Sequence, residues 1–349
     1  MKKIFFISFF VLTLLNSFGQ IPNGYYDSAE GLTGTQLQSA LHNIIKNHWV
    51  INYDNLWSYF SLTDKKANGK VWDMYSDNPS GSTPYEFVFS TDQCGSYDSE
   101  NDCYNREHSW PQSWFGESSP MVSDLFHVYP TDGYVNNIRA NYPFGEVNNP
   151  SKTTLNGSKL GPCVSPGYSG TVFEPIDDFK GDFARTYFYM STRYYGEDSG
   201  WPGSAMTDGA NLKEWALDMM IEWHKADTVS QKEIDRNNKV YTYQHNRNPF
   251  IDHPEYVADI WTSSIEEIND DKIKIYPNPA NDNLFIKYNV SSTSFDFSIF
   301  NILGQKMLSD NDLDNDGKLE INISSFEKGI YFLIVTSEKT PKYRKIVIE

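Results

Sequence analysis

Cysteine is scarce in this sequence, and its spacing argues against one common kind of metal site. The 349 residues include three cysteines, Cys94, Cys103 and Cys163, and no two of them form a Cys-x-x-Cys pair. We therefore do not expect zinc held by thiolates. Cys94 and Cys103 flank an acidic, turn-rich loop, and we expect them to form a disulfide that braces it, with Cys163 left over.

Basic residues are also in short supply. The chain has 29 Lys and Arg against 46 Asp and Glu, which gives a net charge of −17 at pH 7. Neither a large basic surface nor a basic recognition helix is expected from this balance. The excess of acid is uneven, because residues 104–194 contain 7 basic and 9 acidic residues and are nearly neutral.

Long apolar runs are absent after the first residues. Ile4–Leu15 is apolar, follows Lys2 and Lys3, and precedes small residues. This pattern predicts a secretory signal peptide over residues 1–20, because the run is too short to span a membrane. We expect an exported mature protein with no transmembrane segment.

The composition changes after a polar, acidic stretch at residues 263–271, which we interpret as a linker. Residues 21–262 mix amphipathic helices with short strands, which is typical of an α+β domain. Residues 272–349 show short alternating segments separated by turn signals, which predict a small all-β, immunoglobulin-like sandwich. Its predicted strands are Asn283–Tyr288, Phe295–Phe300, Leu319–Ile323, Gly329–Ser337 and Tyr343–Ile348.

Local patterns predict the elements of the first domain. The predicted helices are Thr35–Val50, Tyr53–Tyr59, Phe183–Tyr195 with Asp182 as its cap, Leu212–Ala226, Lys232–Tyr243 and Glu255–Trp261. The predicted strands are Val71–Tyr75 and Tyr85–Phe89, and Glu146–Thr171 is predicted to be a long irregular loop. In the second domain, an acidic run resembles a calcium loop, but Ile323 stands where the twelfth-position Glu would be needed, so a solvated hairpin loop is favoured.

Two segments carry residues suited to catalysis. Arg106-Glu107-His108 places a phosphate-seeking cation, a hard-metal ligand and a base on consecutive positions of a predicted strand. Further on, Pro130 and Thr131 predict a helix entry, after which Asp132, Asn136 and Arg139 would share one helix face. A Glu-His pair alone is more often a surface pair than a site, so the second segment is needed for the argument.

Together these motifs resemble the bacterial endonuclease I family, which comprises secreted or periplasmic nucleases of the ββα-metal (His-Me finger) type. The similar segments are Tyr104–Pro111, Asp124-Leu125, Val135–Asn141, Gly181–Met190 and Asn246–Phe250, and the resemblance covers about Leu37–Trp261. Residues 272–349 resemble the C-terminal sorting domain of type IX secretion cargo. Tyr276–Pro279, Ile299–Gln305 and Lys328–Phe332 carry this second resemblance.

The family resemblance implies a role for each candidate residue. It makes His108 the general base, and it places Mg²⁺ or another hard divalent cation on Glu107 and Asn136. Arg139 and Arg185 are the candidates for phosphate contact, although a buried salt bridge is an equal alternative for Arg185.

Two further residues are weaker candidates for substrate binding. Arg106 is the lesser candidate for phosphate contact. One departure from the family concerns the position after Asp124-Leu125, where Phe126 stands in place of a His that many relatives have. His127 follows, and it either takes over the supporting role of that His or simply packs.

The resulting functional hypothesis is a secreted or surface-attached, metal-dependent endonuclease. It would hydrolyse DNA, with RNA left open as a second substrate, without sequence preference, and its few cations predict weak, salt-sensitive binding. Its partner in export would be the type IX secretion machinery. The alternatives are a catalytically inactive surface-displayed binding module or adhesin on the same scaffold, and a phosphodiesterase acting on a small substrate.

Overall fold

The computed structural model describes residues 21–262, 266–267, 273–288, 295–310, 318–337 and 340–349. The chain divides into two compact units, Met1–Thr262 and Ser263–Glu349. The signal peptide expected at residues 1–20, most of the expected linker and the acidic run at residues 311–317 lie outside the described residues. No helix in the described ranges is both long enough and apolar enough to cross a membrane.

The first unit mixes helices with small sheets, as the sequence predicts. Its helices are α1 (Gly34–Ile45), α2 (Leu56–Thr63), α3 (Gly133–Arg139), α4 (Lys180–Arg193), α5 (Glu214–Ala226), α6 (Gln231–Gln244), α7 (Pro249–Asp252) and α8 (Tyr256–Trp261). Its strands are β1 (Tyr104–His108), β2 (Val128–Asp132), β3 (Lys152–Thr153), β4 (Lys159–Pro162), β5 (Thr171–Glu174), β6 (Thr207–Asp208) and β7 (Asn211–Leu212).

Helix α4 forms the centre of the first unit. Nearly all of its residues are buried, and α1, α5 and α7 pack around it. The helix begins at Lys180, earlier than predicted, so Asp182 lies inside its first turn and does not cap it. Buried aromatic and aliphatic side chains from these helices continue under β1 and β2, which gives the site strands a rigid support.

Strands β1 and β2 form an antiparallel pair, and α3 follows β2 directly. Glu107 pairs with Tyr129, and His108 pairs with Val128. The prediction that Pro130 starts the helix is wrong, because Pro130 lies within β2, opposite Arg106. Both strands of a two-stranded sheet are edges, so a proline without an N–H is tolerated there.

The helix after β2 is capped by Asp132, whose side chain accepts a hydrogen bond from the Val135 N–H at 2.9 Å. The second Asp132 oxygen accepts from the Asn101 N–H at 2.8 Å and from the Tyr85 hydroxyl at 3.0 Å. Asp132 is therefore a cap. It does not join Asn136 and Arg139 on a shared helix face as the sequence predicted.

Three other predictions for this unit are corrected. Val71–Tyr75 and Tyr85–Phe89 run side by side, with the Val71 N–H donating to the Phe87 carbonyl at 3.0 Å, but they form no strands. The Asp73 carboxylate accepts a hydrogen bond from the Tyr75 N–H at 2.8 Å, and the chain turns at this point. The region predicted as an irregular loop contains strands β3 and β4, and it ends where β5 begins; these three strands pair as one sheet.

The second unit is all-β among its described residues. Its strands are β8 (Glu266–Glu267), β9 (Ile273–Tyr276), β10 (Asn283–Tyr288), β11 (Phe295–Asn301), β12 (Lys306–Asp310), β13 (Lys318–Asn322), β14 (Gly329–Ser337) and β15 (Thr340–Ile348). Their orders are β13-β10-β9 in one sheet and β12-β11-β14-β15-β8 in the other. Leu284 and Ile286 from the first sheet share a core with Leu333 and Val335 from the second.

The expected order, an α+β region followed by an all-β region, is therefore confirmed. The structure also has a disulfide between Cys94 and Cys103, with 5.7 Å between their Cα atoms. It closes the loop that leads into β1. Cys163 is a free thiol and is buried.

Candidate active site

Glu107 lies on β1, with its carboxylate held from one side. Its Oε1 accepts hydrogen bonds from the Tyr75 hydroxyl at 2.8 Å and from Arg139 Nη1 at 3.1 Å. Burial raises the pKa of Glu107, although Arg139 and Tyr75 oppose that rise. Among the described residues, no hydrogen bond reaches its second oxygen, Oε2, which is left with its lone pairs unused.

Asn136 on α3 sits against the same strand. Its Nδ2 donates to the Asn105 side-chain oxygen at 2.7 Å and to the Arg106 carbonyl oxygen at 3.3 Å. Because a carbonyl oxygen only accepts, the atom facing Arg106 must be the amide nitrogen. Oδ1 of Asn136 therefore has no partner among the residues described.

These two oxygens have the chemistry that a hard cation needs. A carboxylate oxygen and an amide oxygen are ligands that Mg²⁺ and Ca²⁺ accept, with water or phosphate completing the coordination. Across the described ranges, no three His, Cys, Asp or Glu side chains converge as a metal-binding group. The candidate pair has one acid and one amide, so any cation here would depend on other ligands for the rest of its coordination.

His108 follows Glu107 and faces different neighbours. Its Nε2 lies 2.9 Å from the Val122 carbonyl oxygen. Since that oxygen only accepts, the neutral ring carries its proton on Nε2 and its lone pair on Nδ1. Burial and the neighbouring His127 together lower the pKa of His108 to about 3. The imidazole is therefore neutral near pH 7, with Nδ1 able to accept a proton.

Arg139 does not lie where a phosphate-contacting residue should. It is 1% exposed, and its Nη1 donates to Glu107 Oε1 and to the His108 carbonyl oxygen at 2.9 Å. Its Nη2 donates to the Ser109 carbonyl oxygen at 2.5 Å and to the Tyr187 hydroxyl at 3.2 Å. The expected phosphate contact is thus replaced by a positioning role, because this guanidinium fixes Glu107 and the end of β1.

Arg185 is placed away from this group. It is fully buried in α4, with Nε 2.5 Å from Glu233 Oε1 and Nη2 2.9 Å from Glu233 Oε2. Its Nη1 donates to the Asp227 carbonyl oxygen at 2.7 Å. Of the two interpretations of Arg185, the structure shows the buried salt bridge and does not bring Arg185 together with Glu107, His108 or Asn136.

His127 is fully buried behind His108, so the substrate contact expected of it is not available. Its ring centroid lies 5.6 Å from that of His108, and its Nε2 donates to the Met121 carbonyl oxygen at 2.6 Å. Burial lowers the pKa of His127. His127 packs against the His108 ring, while Phe126 packs on Tyr189 with 4.6 Å between the ring centroids.

Arg106 is the sequence-predicted arginine that remains half-buried beside His108. Its guanidinium lies 3.8 Å from the Tyr53 ring centroid and 4.9 Å from that of Trp57. Its Nη1 donates to the Tyr53 carbonyl oxygen at 3.2 Å. The Tyr53 ring also stacks near His108, with 5.9 Å between the centroids and 30° between the planes. Aromatic contacts thus orient the Arg106 guanidinium near His108.

Sequence reasoning missed several residues that shape the site. The sequence predicts Tyr53 only as part of a helix and Tyr75 only as part of a strand. In the structure, Tyr53 contacts the His108 ring, and Tyr75 donates a hydrogen bond to Glu107. The Val122 carbonyl oxygen fixes the His108 tautomer, but a backbone acceptor leaves no residue-type signal. The positions of Tyr53 and Tyr75, far from β1 in sequence, gave no local clue either.

Comparison with known proteins explains why these residues occur together. Residues 33–255 match the family model for endonuclease I, and every candidate site residue lies within that range. The chain belongs to the endonuclease I family. Residues 274–349 match the secretion system C-terminal sorting domain. Both resemblances noted from the sequence are confirmed.

Curated relatives of this endonuclease I family member act on different nucleic acids according to their names. The chain is 36% identical over 246 residues to the extracellular ribonuclease of Bacillus subtilis, which covers 68% of this chain and 78% of that protein. It is 36% identical over 244 residues to the extracellular ribonuclease of Bacillus amyloliquefaciens, with the same coverage. It is 26% identical over 138 residues to the periplasmic deoxyribonuclease of Aeromonas hydrophila, covering 39% of this chain and 50% of that protein.

The family and the tail together give the broad function and location. The first unit is a nuclease domain of the endonuclease I family. Its sorting tail and its similarity to extracellular nucleases place the protein outside the cell or at the cell surface.

Proposed function

We propose that this chain is a metal-dependent, sequence-nonspecific endonuclease that hydrolyses phosphodiester bonds, with His108 as its general base. One observation carries the proposal. The Val122 carbonyl oxygen holds the Nε2 proton of His108, which leaves Nδ1 as the atom that can take a proton from a water molecule. In this proposal β1, β2 and α3 form a ββα-metal core.

The proposed cation site consists of Glu107 Oε2 and Asn136 Oδ1, to which no described residue makes a hydrogen bond. A divalent cation bound there would offset the negative charge that develops on the phosphate during cleavage. Arg139 keeps Glu107 in place through Oε1 and so leaves Oε2 available. Arg106 is the arginine proposed to contact the phosphate, because its guanidinium is only half-buried beside His108.

Both DNA and RNA are proposed substrates. The attacking water does not depend on a 2′-hydroxyl, so the sugar does not decide whether the reaction can occur. The names of the relatives include ribonucleases and deoxyribonucleases. The 29 Lys and Arg against 46 Asp and Glu predict no basic recognition helix, which supports sequence tolerance.

The proposal is tested by cleavage of plasmid DNA and of a long RNA with Mg²⁺, with and without a chelator. We expect cleavage of both with Mg²⁺ and none with the chelator. Glu107→Gln should need much more Mg²⁺ than the wild type. Cleavage that persists in the chelator would contradict the metal site. A wild-type protein that cuts neither polymer would favour the binding-module hypothesis.

A matched pair of variants tests the choice of Asn136. Asn137 is its exposed neighbour on α3. We expect Asn136→Ala to lower cleavage at least about tenfold, the lower end of the cost of disturbing a metal site. Asn137→Ala should cleave like the wild type, and equal losses in the two variants would contradict the assignment.

A further inference from the structure

The segment between α1 and α2 exposes a tryptophan on an anchored backbone. Trp49 is 66% exposed and Val50 is 47% exposed, whereas His48 and Ile51 on either side are buried. His48 Nδ1 accepts a hydrogen bond from Arg193 Nε at 2.9 Å, and the Trp49 N–H donates to the Gln244 carbonyl oxygen at 2.7 Å. The exposure of Trp49 therefore belongs to a fixed piece of backbone.

Among the described residues, the Trp49 indole makes one ring–ring contact, with His245. The His245 ring meets it edge-on, with 6.4 Å between the ring centroids and 82° between the planes. His245 is itself exposed and caps α6 with a left-handed backbone conformation at φ 62°. A large π-face held on a rigid support and open to solvent is the arrangement on which a nucleobase stacks.

The same segment leads directly to the candidate base. Tyr53, four residues after Trp49, stacks near His108 and carries the Arg106 guanidinium on its ring. Four residues span at most about 14 Å of extended chain. This distance corresponds to about four nucleotides at the roughly 3.4 Å spacing of a stacked strand. A strand cut at His108 therefore needs only a short length to reach Trp49.

We propose that Trp49 stacks on a base of single-stranded nucleic acid on one side of the scissile phosphate, while Tyr53, whose ring already contacts Arg106 and His108, links this segment to the candidate base. The inference rests on the proposed nuclease function and adds a substrate class to it. Bases in a duplex are paired and stacked on each other, so only an unpaired strand can offer its base faces to Trp49.

The charge of the protein supports this choice of ligand. A net charge of −17 leaves little capacity for binding through many phosphate contacts. Base stacking supplies affinity that does not need a basic surface and that tolerates any sequence. An acidic nuclease with an exposed tryptophan near its base is thus suited to unpaired strands.

The test compares three forms of the full-length protein: wild type, Trp49→Leu and Trp49→Phe. Leucine keeps an apolar side chain without a π-face, and phenylalanine keeps the π-face. Each form cleaves an unstructured RNA of about ten nucleotides and a dinucleotide too short to reach Trp49. The readout is the ratio of kcat/KM for the two substrates. Val164→Ala, at another exposed apolar position, is the control variant.

We expect Trp49→Leu to lower this ratio by about 5- to 100-fold, the effect of losing one stacked base. Trp49→Phe should retain most of the ratio, and Val164→Ala should match the wild type. A duplex of the same sequence should show no such dependence on residue 49.

Two results would overturn the inference alone: a Trp49→Leu ratio equal to that of the wild type, or equal losses with Leu and Phe. A wild-type protein that cuts neither substrate would overturn the proposed function as well.

Discussion

At the scale of single residues, the two buried arginines Arg139 and Arg185 should affect stability similarly but cleavage differently. Arg139 holds Glu107 and the backbone of β1, whereas Arg185 holds Glu233. Removing either guanidinium leaves a buried carboxylate without its partner, which typically costs about 3–5 kcal/mol of stability. Arg139→Met should also abolish cleavage, because Glu107 loses the contact that fixes Oε1.

Arg185→Met is the matched variant. We expect a similar loss in the free energy of unfolding, measured by urea denaturation, but a kcat per folded molecule close to that of the wild type. An Arg185→Met protein that folds but does not cleave would contradict the placement of Arg185 outside the site.

Asp124 gives a second prediction, one that depends on pH. Its Oδ2 accepts from the Tyr189 and Tyr194 hydroxyls at 2.8 and 2.9 Å. Burial acts to raise the pKa of Asp124, but His48, His127 and hydrogen bonds outweigh it and bring that pKa to about 2. A carboxylate with a lowered pKa stabilises the fold above its unfolded pKa of about 4, and this contribution is lost as the pH falls towards 2.

Asp124→Asn should therefore lower the free energy of unfolding at pH 7 by about 2–4 kcal/mol, since an amide cannot accept all of these bonds. The difference from the wild type should shrink mainly as the pH falls from about 4 to about 2, the interval between the unfolded and folded pKa values. Denaturant melts at several pH values measure it, and a difference that grows on acidification would contradict the assignment.

The sequence and its family resemblance predict Glu107, His108 and Asn136 as site residues, but they do not assign the atoms that would act. The free atoms Nδ1, Oε2 and Oδ1 are defined by two backbone carbonyls and an arginine. Backbone acceptors have no sequence signature. The predicted phosphate contact of Arg139 is not seen for a related reason. The sequence motif alone does not distinguish an arginine that contacts phosphate from one that pairs with a buried glutamate.

At the scale of elements, α3 ends in an unfavourable backbone conformation. Ala140, which ends the helix, has φ 47° and ψ −130°, a region that favours glycine. In the folded state, Ala140→Gly should remove a backbone strain of about 1–2 kcal/mol. Glycine also raises the conformational entropy of the unfolded chain, which offsets part of this effect. We therefore expect the free energy of unfolding to rise by about 0.5–1 kcal/mol. A lower urea midpoint than that of the wild type would contradict this.

Helices α5, α6 and α8 and strands β10 and β14 match their predicted spans closely. Helix α1 is shorter than predicted, because it ends at Ile45 and not at Val50. Other errors lie where side chains accept hydrogen bonds from the backbone, as Asp73 does from Tyr75 and Asp132 does from Val135. Such local competition is set by tertiary neighbours, so periodicity does not reveal it.

At the scale of the whole molecule, the two units have separate cores and separate family matches. A chain ending at Thr262 should therefore fold and cleave nucleic acid with a kcat close to that of the full-length protein. It should fail to reach the cell exterior through type IX secretion. Purified truncated protein and a cell-fractionation assay test the two parts, and a large drop in kcat would contradict the independence of the nuclease unit.

The most direct test of the central claim is the single-turnover cleavage rate of His108→Ala in saturating Mg²⁺. The account predicts a rate at least about a hundredfold below that of the wild type, the contribution expected of a general base, with folding and Mg²⁺ affinity retained. A His108→Ala protein that cleaves at the wild-type rate would show that Nδ1 of His108 is not the base.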